Sequence, residues 1–281
     1  MNRFSCYTLV TGASDGFGKA LAIECARRGM NLILVALPGP GLHHLANFIK
    51  KNFFVEVRFF EADLTIEAEC YQLYSNIAKH HLPVNVLVNN AGTGNTQMFT
   101  ESSPEFITQQ IKLNVLASTL LTRLFVPELQ RHTPAHILNV GSLCSFFYLP
   151  KKQVYGATKS FIYFFSKSLR KELKYDGVSV SVVCPGGMNT NLSVSLMNRK
   201  ANFLSRISFL NPERVAPIVI DKMLKGKEVI IPGLVNQVSM LLDKLLPAFV
   251  KNILTDKLMK RLKPVNIPTV QIHKDSSPMA A

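Results

Sequence analysis

Acid is what this sequence is short of: 18 Asp and Glu stand against 32 Lys and Arg in 281 residues, a formal charge of +14. The excess suits nucleic acid, an anionic membrane surface or a phosphorylated ligand, and charge alone does not choose among them. Low-complexity tracts are missing, and 47% hydrophobic against 18% charged residues excludes a disordered chain. Cysteine is sparse, with Cys6, Cys25, Cys70, Cys144 and Cys184 odd in number and never spaced Cys-x-x-Cys. That excludes a disulfide-stapled framework and offers no metal site; free buried thiols in a reducing compartment are expected. A continuous apolar run of roughly 20 residues is also missing, which excludes a transmembrane helix. Only Met1 to Cys6 precede the first strand-like run, so neither signal peptide nor anchor is expected and a cytoplasmic location is.

What is present is a repeated alternation. Tyr7–Val10, Asn31–Ala36, Val55–Phe60, Val84–Val88, Ala135–Val140, Val178–Cys184 and Glu228–Ile231 are short and apolar almost without interruption. That is the pattern of parallel strands covered on both faces. Between them, Gly18–Arg28, His43–Lys51, Glu67–His80, Pro104–Gln130, Lys152–Lys174 and Pro212–Leu224 carry helical spacing. Strand and helix in turn predict an α/β fold, a Rossmann-like doubly wound sheet of seven parallel strands with helices on both faces. Ligands of such sheets bind beyond the carboxyl ends of the strands, where strand order reverses.

The first strand runs into Thr11-Gly12-Ala13-Ser14-Asp15-Gly16-Phe17-Gly18. Gly12 permits a sharp turn, Gly16 a close approach of phosphate to backbone, and Gly18 tight packing of helix on strand; the helix N-terminus favours the negative charge. Three residues, rather than one, separate the first two glycines. That spacing resembles the short-chain dehydrogenase/reductase family, over about Tyr7 to Ile231, and further segments share the likeness in order: Asp63-Leu64, Asn89-Asn90-Ala91-Gly92, and Pro185-Gly186 with Thr190.

The resemblance implies a nicotinamide dinucleotide. Gly12, Ser14, Gly16, Phe17 and Gly18 would hold its phosphates. Asp63 and Leu64 would meet the adenine, Asn90, Ala91 and Gly92 would close the adenine and ribose side, and Pro185, Gly186 and Thr190 would hold the nicotinamide amide. It also implies a branch that includes hydroxysteroid dehydrogenases and 3-oxoacyl-thioester reductases.

The catalytic candidates are Tyr155-Gly156-Ala157-Thr158-Lys159, with Ser142 and Asn114 upstream. Residues four apart share a helix face, so Lys159 can bring its ammonium near the Tyr155 phenol. An ordinary tyrosine titrates near ~10, and a neighbouring cation lowers that value. By the family's mechanism Ser142 would bind the substrate oxygen, Tyr155 would donate its proton, Lys159 would bind the ribose and lower the tyrosine pKa, and Asn114 would fix a water relay to Lys159.

The end of the second strand reads Val35-Ala36-Leu37-Pro38, without the acid that selects a free ribose diol, so NADP(H) is favoured over NAD(H). Leu37 also departs from the arginine often found there. The resemblance implies that the segment after Pro185-Gly186 closes over the substrate, so Met188, Leu192, Val194, Leu196, Met197, Phe203, Leu204, Ile207 and Phe209, with Cys144, Phe146, Phe147, Tyr148 and Leu149 near the tyrosine, would give a pocket for a small apolar, lipid-like carbonyl. A non-catalytic, redox-sensing dinucleotide binder is the alternative, against which the retained Tyr155 and Lys159 speak.

Arg199 to Lys263 holds 13 basic and 5 acidic residues. Within it Leu234, Val238, Leu241, Leu242, Leu245 and Phe249 fall at helical spacing, and Ile253–Leu262 forms a second amphipathic piece. Packing against the sheet or a subunit partner and peripheral contact of 234–263 with an anionic membrane are both open. A homo-oligomer is expected and nucleic acid is not, since no recognised module appears. The expected organisation is a dinucleotide-binding and catalytic domain over 1–232 with a substrate loop at 187–210, an amphipathic extension over 233–263, and a loose tail over 264–281.

Overall fold

The computed structural model describes residues 6–189 and 209–247, together with 249, 250 and 253. The chain divides into two compact units, Met1–Leu245 and Leu246–Ala281, and the sheet lies in the first. Its strands are β1 (Tyr7–Thr11), β2 (Asn31–Ala36), β3 (Val57–Glu61), β4 (Val84–Asn89), β5 (Ala135–Val140), β6 (Val178–Val183) and β7 (Val229–Ile230). All pair parallel, in the order β3-β2-β1-β4-β5-β6-β7. The chain therefore walks outward from β1 to β3, returns to lay β4 beside β1, and walks the other way. The crevice at that reversal lies beyond the carboxyl ends of β1 and β4.

The apolar runs become strands for the expected reason. All six residues of β2 are buried, as are all five of β1. One face packs on α1 (Gly16–Arg27), α2 (Pro40–Asn52) and, further along the chain, Pro212–Leu224; the other packs on α3 (Glu67–Lys79) and Ser118–Arg131. β3 begins two residues later than the hydropathy implies, because Phe53 still caps α2 through its N–H to Ile49 O, and 54–56 turn the chain.

Pro104–Gln130 is not one regular helix. It runs as α4 (Pro104–Ile111), a π-helical segment at Lys112–Ala117, and α5 (Ser118–Arg131). α6 (Gln153–Glu172) buries Thr158, Lys159, Ile162 and Ser166 on a single stripe at three- and four-residue spacing. α7 (Pro212–Leu224) and α8 (Leu234–Leu245) complete the first unit.

A polar ladder pins α6 to the sheet. Asn89 Nδ2 donates to Thr122 Oγ1 and to Asn139 Oδ1, both at 2.8 Å, Asn139 Nδ2 donates to Ser166 Oγ at 2.8 Å, and Ser166 Oγ donates to Ile162 O at 2.6 Å. These groups are buried, so their bonds offset a desolvation cost and hold one arrangement of α5, β4, β5 and α6. The result is a fixed height for the stripe that carries Lys159.

Candidate active site

The crevice begins with the turn after β1, where Gly12 and Gly16 take φ of +62° and +54°. Both values lie where a side chain is strained. A Cβ on Gly18 would stand 2.1 Å from Gly12 O, so only glycine lets α1 start this close to the strand. Asp15, the N-cap of α1, makes no side-chain capping bond, and the first turn holds no acid. The leading amides of α1 thus remain for an anion.

Asn90 supports this turn from behind. Its Nδ2 donates to Thr11 O at 2.9 Å and to Gly12 O at 3.2 Å, while Thr11 Oγ1 accepts from the N–H groups of Asn90 and Ala91. Through these bonds its side-chain amide shapes the loop. Asp63 Oδ1 accepts from both the N–H and the hydroxyl of Thr65. This fixes the bend after β3, beside Leu64.

One peptide links the turn to the catalytic candidates. A Cβ on Gly12 would lie 2.9 Å from Ala91 Cα, and one on the adjacent Gly92 would lie 3.1 Å from Asn114 Oδ1 and 3.3 Å from Lys159 Nζ. Ala91 therefore abuts the glycine loop while Gly92 abuts the ammonium. Asn114, carried by the π-helical segment, clamps the next residue: its Oδ1 accepts from Thr93 N at 2.8 Å and its Nδ2 donates to Thr93 O at 2.9 Å. It also donates to Thr158 Oγ1 on α6 at 3.1 Å. The π turn aims Asn114 at both.

Tyr155 and Lys159 share a face of α6 as their spacing requires. Lys159 Nζ is buried, donates to Val140 O at 2.8 Å, and lies 5.8 Å from the centre of the Tyr155 ring. Ser142, two residues past β5, is buried, its Oγ accepts from Cys144 N at 3.1 Å, and its proximity favours the ionised form of the Tyr155 phenol. Burial pushes the Tyr155 phenol up to about 12, offset only in part by Ser142, and brings Lys159 down to about 8. Desolvation is the largest cause at the phenol, and Lys159 is not among the groups that offset it. At neutral pH the phenol is a protonated donor beside an ammonium.

Sequence reasoning missed two neighbours of the phenol. Gly94 has Tyr155 against its backbone, and Lys152 Nζ, 5.3 Å from the ring centre, donates to Asn95 O. A glycine two residues beyond Asn-Asn-Ala-Gly was the available signal for the first; Lys152 gave none.

At the far side, Leu143 N donates to Pro185 O at 2.8 Å, and Gly186 is held under Asn236 of α8. Phe209 covers Gly187, and Met188 bridges Leu210. Phe146 packs edge-on against Tyr163, while Tyr148 and Leu149 are exposed. Thr190, with the expected lining residues Leu192, Val194, Leu196, Met197, Phe203, Leu204 and Ile207, lies outside the described residues. Among the described residues no group of acids, histidines and cysteines could hold a metal.

The crevice can be compared with known proteins. Very-long-chain 3-oxoacyl-CoA reductase of Mus musculus is 33% identical over 195 residues, covering 68% of this chain and 62% of that protein. Hydroxysteroid dehydrogenase-like protein 1 of Gallus gallus is 30% identical over 206 residues, covering 72% and 62%. The chain thus spans less than two thirds of the length of these relatives. A solved short-chain dehydrogenase from Sphingobium yanoikuyae, in complex with NADPH, superposes with a TM-score of 0.74 at 28% identity over 96% of this chain and 99% of that one. The family model for short chain dehydrogenase matches residues 7–201, the span that holds the glycine turn, Asn114, Ser142, Tyr155 and Lys159. With sheet order, crevice and motif positions in agreement, this chain belongs to the short chain dehydrogenase family.

Proposed function

We propose that the protein is an NADP(H)-dependent oxidoreductase acting on the carbonyl or alcohol of an apolar, lipid-like molecule: a 3-oxoacyl thioester, a steroid or a related ketone. The observation that carries the reading is the short path from loop to ammonium. Gly12 abuts Ala91, Gly92 abuts Lys159, and Lys159 sits one helical turn from the Tyr155 phenol, which Ser142 neighbours.

The residues fit a dinucleotide. The close approach of Gly18 to Gly12 and the uncapped first turn of α1 form a cradle that a side chain would fill. When bound, NADPH supplies the hydride. Lys159 would hold the ribose hydroxyls, Ser142 would donate to the substrate oxygen, and Tyr155 would pass its proton to that oxygen. The negative charge developing there belongs to an alkoxide, a stronger base than a phenolate, so a phenol at about 12 remains a competent acid. Asn114 positions the Thr93 peptide and would fix a water relaying protons to Lys159.

The preference for the phosphorylated cofactor rests on β2. Ala36 is buried, the residue after it is an exposed leucine, and neither repels phosphate. Glu61, in register with Ala36, is tied down by Gly39 N at 3.0 Å and His43 at 3.2 Å. The substrate class follows the relatives named as 3-oxoacyl-CoA reductase and hydroxysteroid dehydrogenase-like protein, together with the apolar residues about Ser142.

The test is consumption of reduced nicotinamide with a panel of 3-oxoacyl thioesters, steroids and simple ketones, run with NADPH and NADH. NADPH-dependent turnover of at least one apolar ketone is expected. Failure with every substrate and both cofactors would overturn the reading in favour of a dinucleotide-binding sensor.

A further inference from the structure

α8 is patterned inside out. Among its described side chains the inner side carries polar groups: Asn236 Nδ2 donates to Pro232 O and Gln237 Nε2 to Ile231 O, both at 2.9 Å, with Met240 packed against the cluster of Ile162, Val182, Cys184 and Ile231. Its outward side is apolar, with Leu234, Val238, Leu241 and Leu242 at 79%, 54%, 56% and 53% exposure. A helix at rest on a soluble protein turns such residues inward. In the second unit Leu246, Phe249 and Ile253 are likewise exposed.

Two further observations say what covers this face. The first is charge: residues 234–263 carry Lys244, Lys251, Lys257, Lys260, Arg261 and Lys263 against Asp243 and Asp256, on a chain of +14. A second copy of so basic a chain would bring like charge against like, whereas an anionic lipid surface offers both an apolar layer and opposite charge. The second is position. Asn236 lies 2.8 Å from where a Gly186 side chain would stand, so α8 is clamped to the segment after β6 that borders the crevice. No described helix is long and apolar enough to cross a membrane, so contact of this kind is interfacial.

We propose that the outward face of α8 binds an anionic lipid surface, setting the crevice at the place where an apolar carbonyl compound resides. Only the second clause rests on the function proposed above; lipid binding itself needs neither cofactor nor substrate. Binding of this kind strengthens with anionic lipid and weakens with salt.

The experiment is sedimentation of the full chain with vesicles of phosphatidylcholine alone or mixed with phosphatidylserine, at low and high salt, without nucleotide. Expected is salt-sensitive binding to the mixed vesicles, weakened about tenfold in L241E/L242E by loss of apolar burial and reduced as well in K257Q/K260Q/R261Q. Both variants should keep the melting temperature of the parent and any turnover of a short, water-soluble ketone. No binding at low salt, binding unchanged in both variants, or light scattering showing a homodimer that L241E/L242E dissociates, would overturn the proposal. Absence of turnover in the parent would sink the enzymatic reading and leave the vesicle result standing by itself.

Discussion

Gly94 and Tyr155 are in contact across the crevice: a Cβ built on the glycine would stand 2.6 Å from Tyr155 Cδ2 and 2.8 Å from Cε2. No real Cβ comes so near, so Gly94→Ala must push the ring. A displacement of this order costs about 10²-fold where proton and hydride transfer need alignment. We expect kcat/KM to fall by that factor while dinucleotide affinity stays within a few-fold, measured by steady-state kinetics and a fluorescence titration. Unchanged kcat/KM would show that the ring has room to yield.

Tyr155→Phe removes the proton donor and leaves the ring. Loss of a positioned acid costs about 10²–10⁴-fold, so turnover should drop by that amount with NADPH binding retained. Turnover equal to the parent would refute the role given to the phenol.

The ammonium of Lys159 titrates in reach of ordinary assays because burial brings it down to about 8. Above that pH it becomes neutral, and its hold on the ribose weakens. Dinucleotide affinity is therefore expected to be level below pH 8 and to decline above it, with the step absent in Lys159→Met. The stability effect has the opposite sense. Since the folded pKa is below the ordinary 10.5, the unfolded chain binds more protons between about 8 and 10.5, and this group's contribution to stability rises over that window.

Gly18→Ala places a methyl 2.1 Å from Gly12 O and 2.8 Å from Gly12 C, both backbone atoms. Neither can rotate away, so α1 must retreat from β1. Urea unfolding should show a loss of about 1–3 kcal/mol, accompanied by loss of NADPH binding; a variant with both unchanged would mean the turn is softer than its contacts imply.

Ala36→Asp puts a carboxylate at the end of β2, where it would accept from a ribose diol and repel a phosphate. The ratio of kcat/KM for NADPH over NADH should fall about tenfold or more. A ratio that does not move would locate cofactor choice elsewhere.

The fold was legible in the sequence because fully buried parallel strands write themselves as unbroken apolar runs: Asn31–Ala36 is a strand from end to end. The glycine turn and the Tyr155–Lys159 stripe were legible because each depends on spacing along a single element. What was hidden depends on contacts between segments far apart in the chain. Hydropathy does not show that Thr11 and Asn90 brace each other, that Asn114 clamps Thr93, or that Asn89 and Asn139 join in a ladder reaching α6. The tyrosine pKa was hidden for a related reason, since pairing can be seen in sequence and desolvation cannot. The inverted face of α8 was half visible: the leucines were plain at their spacing, but that Asn236 and Gln237 occupy the inner side was not.

The π-helical segment at Lys112–Ala117 gives chain length itself a meaning in this protein. Each α-helical residue turns the chain by about 100°. A π turn takes up one extra residue while leaving the helices on either side in phase, so deleting a single residue there restores an ordinary spiral with Phe125 still seated in the interior. What is forfeited is the wide turn that aims Asn114 at Thr93. Point replacements at the surface of that stretch should pass through descent with little consequence, whereas a lost codon should be purged.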